Sequence, residues 1–460
     1  MLDQTKTEQI FERIKRLSSV EEVEVIFSST DHSLTRFANN TIHQNVSELN
    51  EVASVRVAFD GKTARSTTNR FDDESLKRAV QAAESMAKVQ ESDPDRLPMA
   101  KPAEARRTQA APPRWFQPTA AITPQDRADA VGKIVGVAKK NGLVTAGIYS
   151  SSQSSDAVIN SKGLSAYHKQ TSAEVSITML AGDSSGWQKA NSPDVRNIDP
   201  VRLAEVAAQK ARDSRGPLEL APGKYTVILE PAAVLDLVGF MFWDFGGLAI
   251  LDQRSFLNNR IGAKLFGENI TIQDNACHPL QSNAPFDGEG IPRQPVTLVE
   301  GGVIKSLVYA RGTAEKMRKS EYAAKVGPIG ATGHGFPLPN EIGEAPMNIV
   351  FVTPGGEQTV EQMIGGAERA ILVTRLWYIR EVDPYEKILT GMTRDGTFLV
   401  ENGKIKRGIR NFRLNQSLIE MLANVEAMSH AVRSSGEESF DMVAPAMKVR
   451  NFNFTEVTRF

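Results

Sequence analysis

Cysteine is nearly absent from this chain of 460 residues: Cys277 is the only one, so no disulfide can form within the chain. That usage suits a reducing compartment. Histidine is scarce as well. His32, His43, His168, His278, His334 and His430 are the full set, and no two of them lie within a helical turn of each other. This excludes the metal motifs that place two imidazoles on one helical face. No run of about 18 apolar residues occurs, which excludes an ordinary membrane-crossing helix. The opening residues, MLDQTKTEQIFERIKRL, are polar and mixed in charge, without the apolar centre of a secretion signal. A net charge of −1 removes any general attraction to nucleic acid. The expectation is a cytoplasmic protein with neither a nucleic-acid nor a membrane partner.

What is present is ordinary for a globular protein: 41% hydrophobic and 24% charged residues. The patterning predicts an α+β fold with a boundary near residue 220. Residues 1–220 form an N-terminal α/β domain of antiparallel strands and helices, and residues 221–460 a β-rich domain with a large antiparallel sheet. In the first, helices are expected at 3–17, 71–89, 123–140 and 199–213, where apolar residues recur at helical spacing behind capping residues. Short strands are expected at 22–29, 34–37, 41–46, 52–59 and 63–68, then at 144–150, 156–160, 165–170 and 173–180. Residues 20–90 and 143–213 thus read as two halves of one layer. Between them, residues 91–118 are rich in proline and lack periodicity, which predicts an extended surface connection pinned by Trp115 and Phe116.

In the second domain, Pro231 to Phe245 (PAAVLDLVGFMFWDF) reads as one apolar helix. Glu300-Gly301-Gly302 joins two strands as a hairpin. The sharpest patterning lies from Ala370 to Leu414. Asn402-Gly403 is a hairpin signal between two apolar strands, and Arg394-Asp395-Gly396 reads as a second turn of the same kind. A helix is expected from Ser417 to about Met428, and a last strand over 447–454.

Several groups of chemistry-bearing residues have to be weighed. Asp244, Asp252, Asp287 and Glu289 could supply an acid–base pair for glycoside hydrolysis, but Asp287-Gly288-Glu289-Gly290 is better read as a turn. Gly327 to Gly335 lacks the lysine and hydroxyl of a phosphate loop and reads as a mobile loop beside a groove. Lys404, Arg407, Arg410 and Arg413 read as a solvated strand edge. Cys277 with His278 is the nearest approach to a ligand pair, and a structural thiol is the plainer reading. Phe240, Phe242, Trp243 and Phe245 are either core or the lining of a cavity.

Four segments carry a resemblance: Pro222-Gly223-Lys224-Tyr225-Thr226-Val227; Asp287-Gly288-Glu289-Gly290 before a hairpin; Val352-Thr353-Pro354-Gly355-Gly356 with Glu361 after it; and Leu399-Val400-Glu401-Asn402-Gly403-Lys404-Ile405. In this order and spacing the chain resembles the TldD/PmbA (TldE) family, also called modulators of DNA gyrase. The resemblance implies a cytoplasmic protein whose TldD-type and TldE-type subunits pair into a protease with an enclosed chamber. It implies a zinc helix H-E-x-x-x-H and a C-terminal cysteine ligand in the TldD-type subunit. Placed without gaps, that helix falls on Gly239-Phe240-Met241-Phe242-Trp243-Asp244, where both histidines and the glutamate are missing. The C-terminal cysteine is missing too.

The expectation is therefore a TldE-like member that carries no zinc and no catalytic residues. Gly239, Phe240 and Asp244 would be the degenerate metal positions. The chain would complete a chamber with a TldD-like zinc subunit, or as a homodimer, and hold a peptide or unfolded segment. Trp243, Asp244, Arg375, Trp377, Tyr378, Thr390 and Arg394 would line the cavity. Two alternatives stand beside it: an active metallopeptidase with a site rearranged around Cys277, His278 and Asp244, and a stand-alone peptide-binding protein.

Overall fold

The computed structural model describes residues 1–106, 109–353 and 355–458. Part of the 91–118 connection (107–108) and Pro354 of the third resemblance segment lie outside the described residues. The fold is α+β.

The first sheet has six antiparallel strands in the order β3-β2-β1-β4-β5-β6. They are β1 (Glu22–Ala38), β2 (Thr41–Phe59), β3 (Lys62–Thr68), β4 (Val144–Asn160), β5 (Ser165–Ala181) and β6 (Ser184–Ser192). Each trio sits between two helices: α1 (Gln4–Leu17) and α2 (Asp73–Val89), then α4 (Pro124–Lys140) and α5 (Pro200–Asp213), with a short α3 (Gln117–Ala120) before α4. Odd-numbered side chains of β1, β2, β4 and β5 point to the helices. Val23, Val25, Phe27, Val55 and Ile159 pack in the cluster beneath α1 and α2. Phe37, Tyr149, Val175 and Ile177 pack in the one beneath α4 and α5. The opposite face carries half-buried hydroxyls such as Ser150, Ser152, Ser154 and Ser172.

The strands are longer than the sequence pattern suggests. The separate segments expected at 22–29 and 34–37 are one strand, as are 144–150 and 156–160, 165–170 and 173–180, and 41–46 and 52–59. The polar stretches between them stay extended because β1 and β4 each have a ladder on both sides through those residues. Two neighbouring strands satisfy the backbone where strand propensity is weak. The strand β6 was not expected. Its Gly186 lets α5 approach, since a Cβ there would lie 2.2 Å from the Ala207 carbonyl.

The remaining elements run β7 (Gly223–Leu229), α6 (Pro231–Val238), a 3₁₀ turn (Gly239–Phe245), α7 (Gly247–Leu251), β8 (Ile272–Asp274), β9 (Val296–Glu300), β10 (Val303–Ile304), α8 (Arg311–Lys319), β11 (Ile349–Phe351) and α9 (Val360–Gly365). Then follow β12 (Arg369–Asp383), β13 (Ile388–Glu401), β14 (Lys404–Gly408), β15 (Phe412–Ser417), α10 (Leu418–Ala423), β16 (Val425–Met428), β17 (Val432–Ser434), β18 (Met442–Ala444) and β19 (Met447–Val457). The patterned 370–414 stretch does not lie flat. The strand order β12-β7-β19-β15-β13 returns to β12 through a β12–β13 ladder, so five strands close into a barrel. One pair in it, β12 with β7, is parallel. A second sheet, β10-β9-β8-β11-β18-β17, stands beside it. Helix α6 is buried in the core that both share, with Val234, Leu235, Ile272, Leu298, Ile371 and Phe412.

Three expectations fail here for local reasons. Arg394-Asp395-Gly396 and the Thr390 to Asp395 segment are not a turn but the interior of β13. The positive φ of Asp395 (52°) and Gly396 (130°) makes a bulge, and the β12 register shifts between Val373 and Arg375 opposite it. The actual turn between β12 and β13 is at 384–387. The expected helix from Ser417 to Met428 stops at Ala423, because Val425 to Met428 pair with β19. The glycine-rich 327–335 loop is pinned at its end: His334 is fully buried, its Nε2 2.9 Å from Asp274 Oδ1.

The Pro-rich connection ties the two halves together. Buried Arg114 donates to the carbonyls of Ala276, His278 and Pro279. Burial and the nearby Arg433 lower its pKa to about 10. Lys169 lies over the Trp115 ring at 4.7 Å, and the Phe116 N–H donates to Thr171.

Candidate functional site

The site begins where α6 changes character. After Val238 the chain tightens into a 3₁₀ turn, in which residues three apart stand above one another. Phe242 and Phe245 share one side and are core residues, 1% and 0% exposed. Phe240 and Trp243 share another side and line a pocket of about 410 Å³ with Gly239, Glu437, Glu438, Ser439 and Phe440. Trp243 is 44% exposed and stacks on Phe336 at 5.9 Å. The four aromatic residues thus divide between core and cavity.

Gly239 is occupied by close approach. A Cβ there would stand 1.7 Å from Ser439 Oγ and 2.6 Å from its Cβ. Replacing Gly239 with alanine is expected to push the 436–440 segment away at a cost of about 1–3 kcal/mol. Adding Ser439→Gly should recover most of that loss in thermal melts; equal melting of single and double variants would refute the contact.

Asp244 is committed to structure. It is 5% exposed; its Oδ1 accepts from the Phe256 N–H at 3.0 Å, and its Oδ2 lies 2.6 Å from Lys387 Nζ. Burial raises its pKa, opposed by Lys387. Lys387 is itself buried, also pairs with Glu381 at 2.7 Å, and sits over the Phe256 ring.

The 435–441 segment closes the pocket and is held from three sides. Asp236 on α6, 0% exposed, accepts from the N–H groups of Glu437 (3.1 Å) and Glu438 (3.0 Å) through one oxygen. Among the described residues its other oxygen has no hydrogen-bond partner. Burial pushes its pKa up to about 7, opposed by the N–H groups of Glu438 and Glu437; the nearby Glu438 carboxylate adds to the rise and Arg375 opposes it. Lys189 of β6 donates to the Gly436 carbonyl. The Glu438 carboxylate accepts from the N–H groups of Tyr378 (2.7 Å) and Ile379 (3.2 Å).

The other residues expected in the cavity fall on β12 and β13. Arg375 is buried, pairs with Asp395 and lies over the Trp187 ring at 4.8 Å. Trp377 is partly exposed, with Arg394 over its ring at 4.5 Å. Tyr378 is 54% exposed and has φ +56°. Thr390 is half-buried and donates to the Leu414 carbonyl. Glu438 therefore connects the Phe240–Trp243 pocket to the backbone at Tyr378 and Ile379. Sequence reasoning missed Asp236, Lys189, Trp187, Lys387, Gly436 and Glu438. Only Gly436-Glu437-Glu438 carried a signal, as a turn after a polar run.

The donor set does not fit zinc. Gly239 and Phe240 offer no ligand, and the carboxylate of Asp244 is engaged by Lys387. Among the described residues no group of three or more His, Cys, Asp or Glu could hold a metal ion. Cys277, His278 and Asp244 form no such group among the described residues. Cys277 is half-buried, and His278 Nδ1 accepts from the Leu280 N–H. The turn carboxylates are structural as well. Asp287 accepts three backbone N–H groups, from Glu289, Ile291 and Gly335, and Glu289 pairs with Arg311.

Comparison with known proteins bears on the whole chain. Residues 222–456 match the family model described as PmbA/TldA metallopeptidase C-terminal domain. Residues 23–87 match its domain 1 and residues 69–215 its central domain. A protein of Methanocaldococcus jannaschii is 27% identical over 174 residues, 37% of this chain and 40% of that protein. The first of these relatives is thus matched over well under two thirds of its length. A protein of Methanothermobacter thermautotrophicus named metalloprotease is 22% identical over 342 residues, 70% of each chain. The crystal structure of TldE from Thermococcus kodakarensis superimposes with a TM-score of 0.83 at 20% identity, covering 98% of this chain and 99% of that one. That likeness is one of fold.

Proposed function

Because the chain belongs to the PmbA/TldD metallopeptidase family, we propose that it is a TldE-like subunit that completes a peptide-binding chamber without carrying the metal centre itself. The observation that carries this reading is the 3₁₀ turn. Its first residue, Gly239, is packed against Ser439, and Asp244 near its end is tied to Lys387. A zinc ion with three protein ligands and an activated water needs imidazole or thiolate donors that converge on one point, and this turn offers none.

Peptide holding rests on β12. Its partner β7 ends at Leu229 opposite Val373, and among the described residues no strand pairs β12 on that side beyond it. An open strand edge lined by aromatic side chains is suited to an extended peptide, whose backbone supplies sequence-tolerant hydrogen bonds. Trp377, Tyr378, Trp243 and Arg394 are the residues we assign to that groove, in a cytoplasmic complex with a zinc-bearing homologue or with a second copy.

The test is co-expression with a family member that carries H-E-x-x-x-H, the tag placed on that partner. Co-purification in a fixed ratio, with peptidase activity greater than that of the partner alone, is expected. A partner that purifies without this chain and is fully active would overturn the assignment.

A further inference from the structure

The β12 bulge carries more than an irregularity of register. Between Trp377 and Arg380 the ladder with β13 skips, so Tyr378 and Ile379 together oppose one residue of the partner strand. Tyr378 takes a left-handed backbone conformation, φ +56°, that costs a tyrosine about 1 kcal/mol or more. The result is two successive N–H groups aimed at one point, the carboxylate of Glu438. Successive N–H groups in such a turn form an anion-binding nest.

The point is occupied by a carboxylate of the same chain. Glu438 receives both N–H groups, one on each oxygen, and the Arg380 guanidinium lies 3.7 Å away over the Tyr378 ring. Around the nest stand Trp377, Tyr378 and Val382, all exposed, and the pocket of Phe240 and Trp243 opens beside Glu438. A backbone nest, a nearby guanidinium and an adjoining apolar pocket are the elements that recognise a chain terminus: a carboxylate next to a side chain.

We propose that the Tyr378–Ile379 nest is a carboxylate-binding subsite for the C-terminus of an extended peptide, and that Glu438 holds it as an internal surrogate. The inference rests on the peptide-binding reading above and adds the chemical group by which the peptide is anchored. Glu438 would be exchanged for the incoming carboxylate, with the two N–H groups satisfied before and after.

The test uses the full chain and three fluorescent hexapeptides of one apolar sequence: a free acid, its C-terminal amide, and an amide with one internal glutamate. Binding is followed by anisotropy for the wild type and for Glu438→Ala. A second variant, Gly436→Ala, covers the case in which Glu438→Ala fails to fold. A Cβ at Gly436 would lie 2.1 Å from Asp236 Oδ1, which displaces the segment while keeping Glu438. Each variant should bind the free acid at least tenfold more tightly than the plain amide, while the wild type binds both weakly. A free-acid preference shared by the internal-glutamate amide supports the nest and assigns side-chain carboxylates to it as well. Equal binding of free acid and plain amide by the variants overturns the subsite and leaves the peptide-binding reading intact. No binding of any peptide by any of the proteins overturns both.

Discussion

Replacing Lys387 with methionine is expected to lower the unfolding free energy by about 3–5 kcal/mol, the usual cost of leaving a buried charge without its partner. Methionine keeps most of the volume, so the loss measures charge. Lys387 pairs with Asp244 at 2.6 Å and with Glu381 at 2.7 Å, and Asp244 is nearly inaccessible to water. Burial already works against the ionised Asp244, and Lys387 offsets it. The double variant Asp244→Asn with Lys387→Met should be more stable than Lys387→Met alone. Asparagine is neutral and its oxygen can still accept from the Phe256 N–H. A denaturant double-mutant cycle reads the coupling directly. Strictly additive losses would show that the pair does not act as a strut and that Asp244 is not committed to Lys387.

The second large effect is a pH dependence. Asp236 titrates near 7 in the folded chain against an ordinary value of 3.8. Between those values the folded state holds a proton that the unfolded state has released. Stability therefore falls as pH rises from about 4 to about 7, then levels off. A shift of roughly three units at about 1.4 kcal/mol per unit sets an upper scale of about 4 kcal/mol. Asp287, also pushed up to about 7 by burial and by Glu289, contributes in the same direction. Other buried carboxylates with raised pKa values, Asp244 among them, add to the wild-type slope, so Asp236→Asn should flatten it in part. Asparagine still accepts the Glu437 and Glu438 N–H groups, so the segment should stay in place. Denaturant midpoints across pH 4–8 provide the comparison. An unchanged slope in the variant would show that Asp236 is not the titrating group.

Much of the fold was legible in the chain. The helix caps at Asp3, Asp72, Thr123 and Asp199 are where the residue types placed them, each accepting from a backbone N–H of the first turn. The Asn402-Gly403 and Gly301-Gly302 turns join the expected strands. Strand continuity was not legible, because Ser151 to Ser155 have no strand propensity and are held by ladders on both sides. Nor was barrel closure, since the parallel β7–β12 pair links residues more than a hundred positions apart. Arg394-Asp395-Gly396 misled for a related reason: left-handed residues serve a bulge as well as a turn, and only the neighbouring strand decides which.

On the reading proposed above, the site was legible in its departures and not in its contacts. Gly239, Phe240 and Asp244 depart from the H-E-x-x-x-H pattern that the resemblance implies, and Trp243, Trp377 and Tyr378 are exposed. What packs against Gly239 and Asp244 comes from far along the chain. Ser439 lies two hundred residues from Gly239, and Lys387 well over a hundred from Asp244. Neither has a local pattern, because each depends on a contact that only the folded chain makes.

On the proposed reading, metal-dependent peptidase chemistry is not housed in this chain. Metal analysis of the purified chain, loaded with zinc and then desalted, is combined with peptidase assays with and without chelator. No stoichiometric zinc and no chelator-sensitive cleavage by this chain alone are expected. One zinc per chain together with chelator-sensitive peptidase activity would contradict that reading.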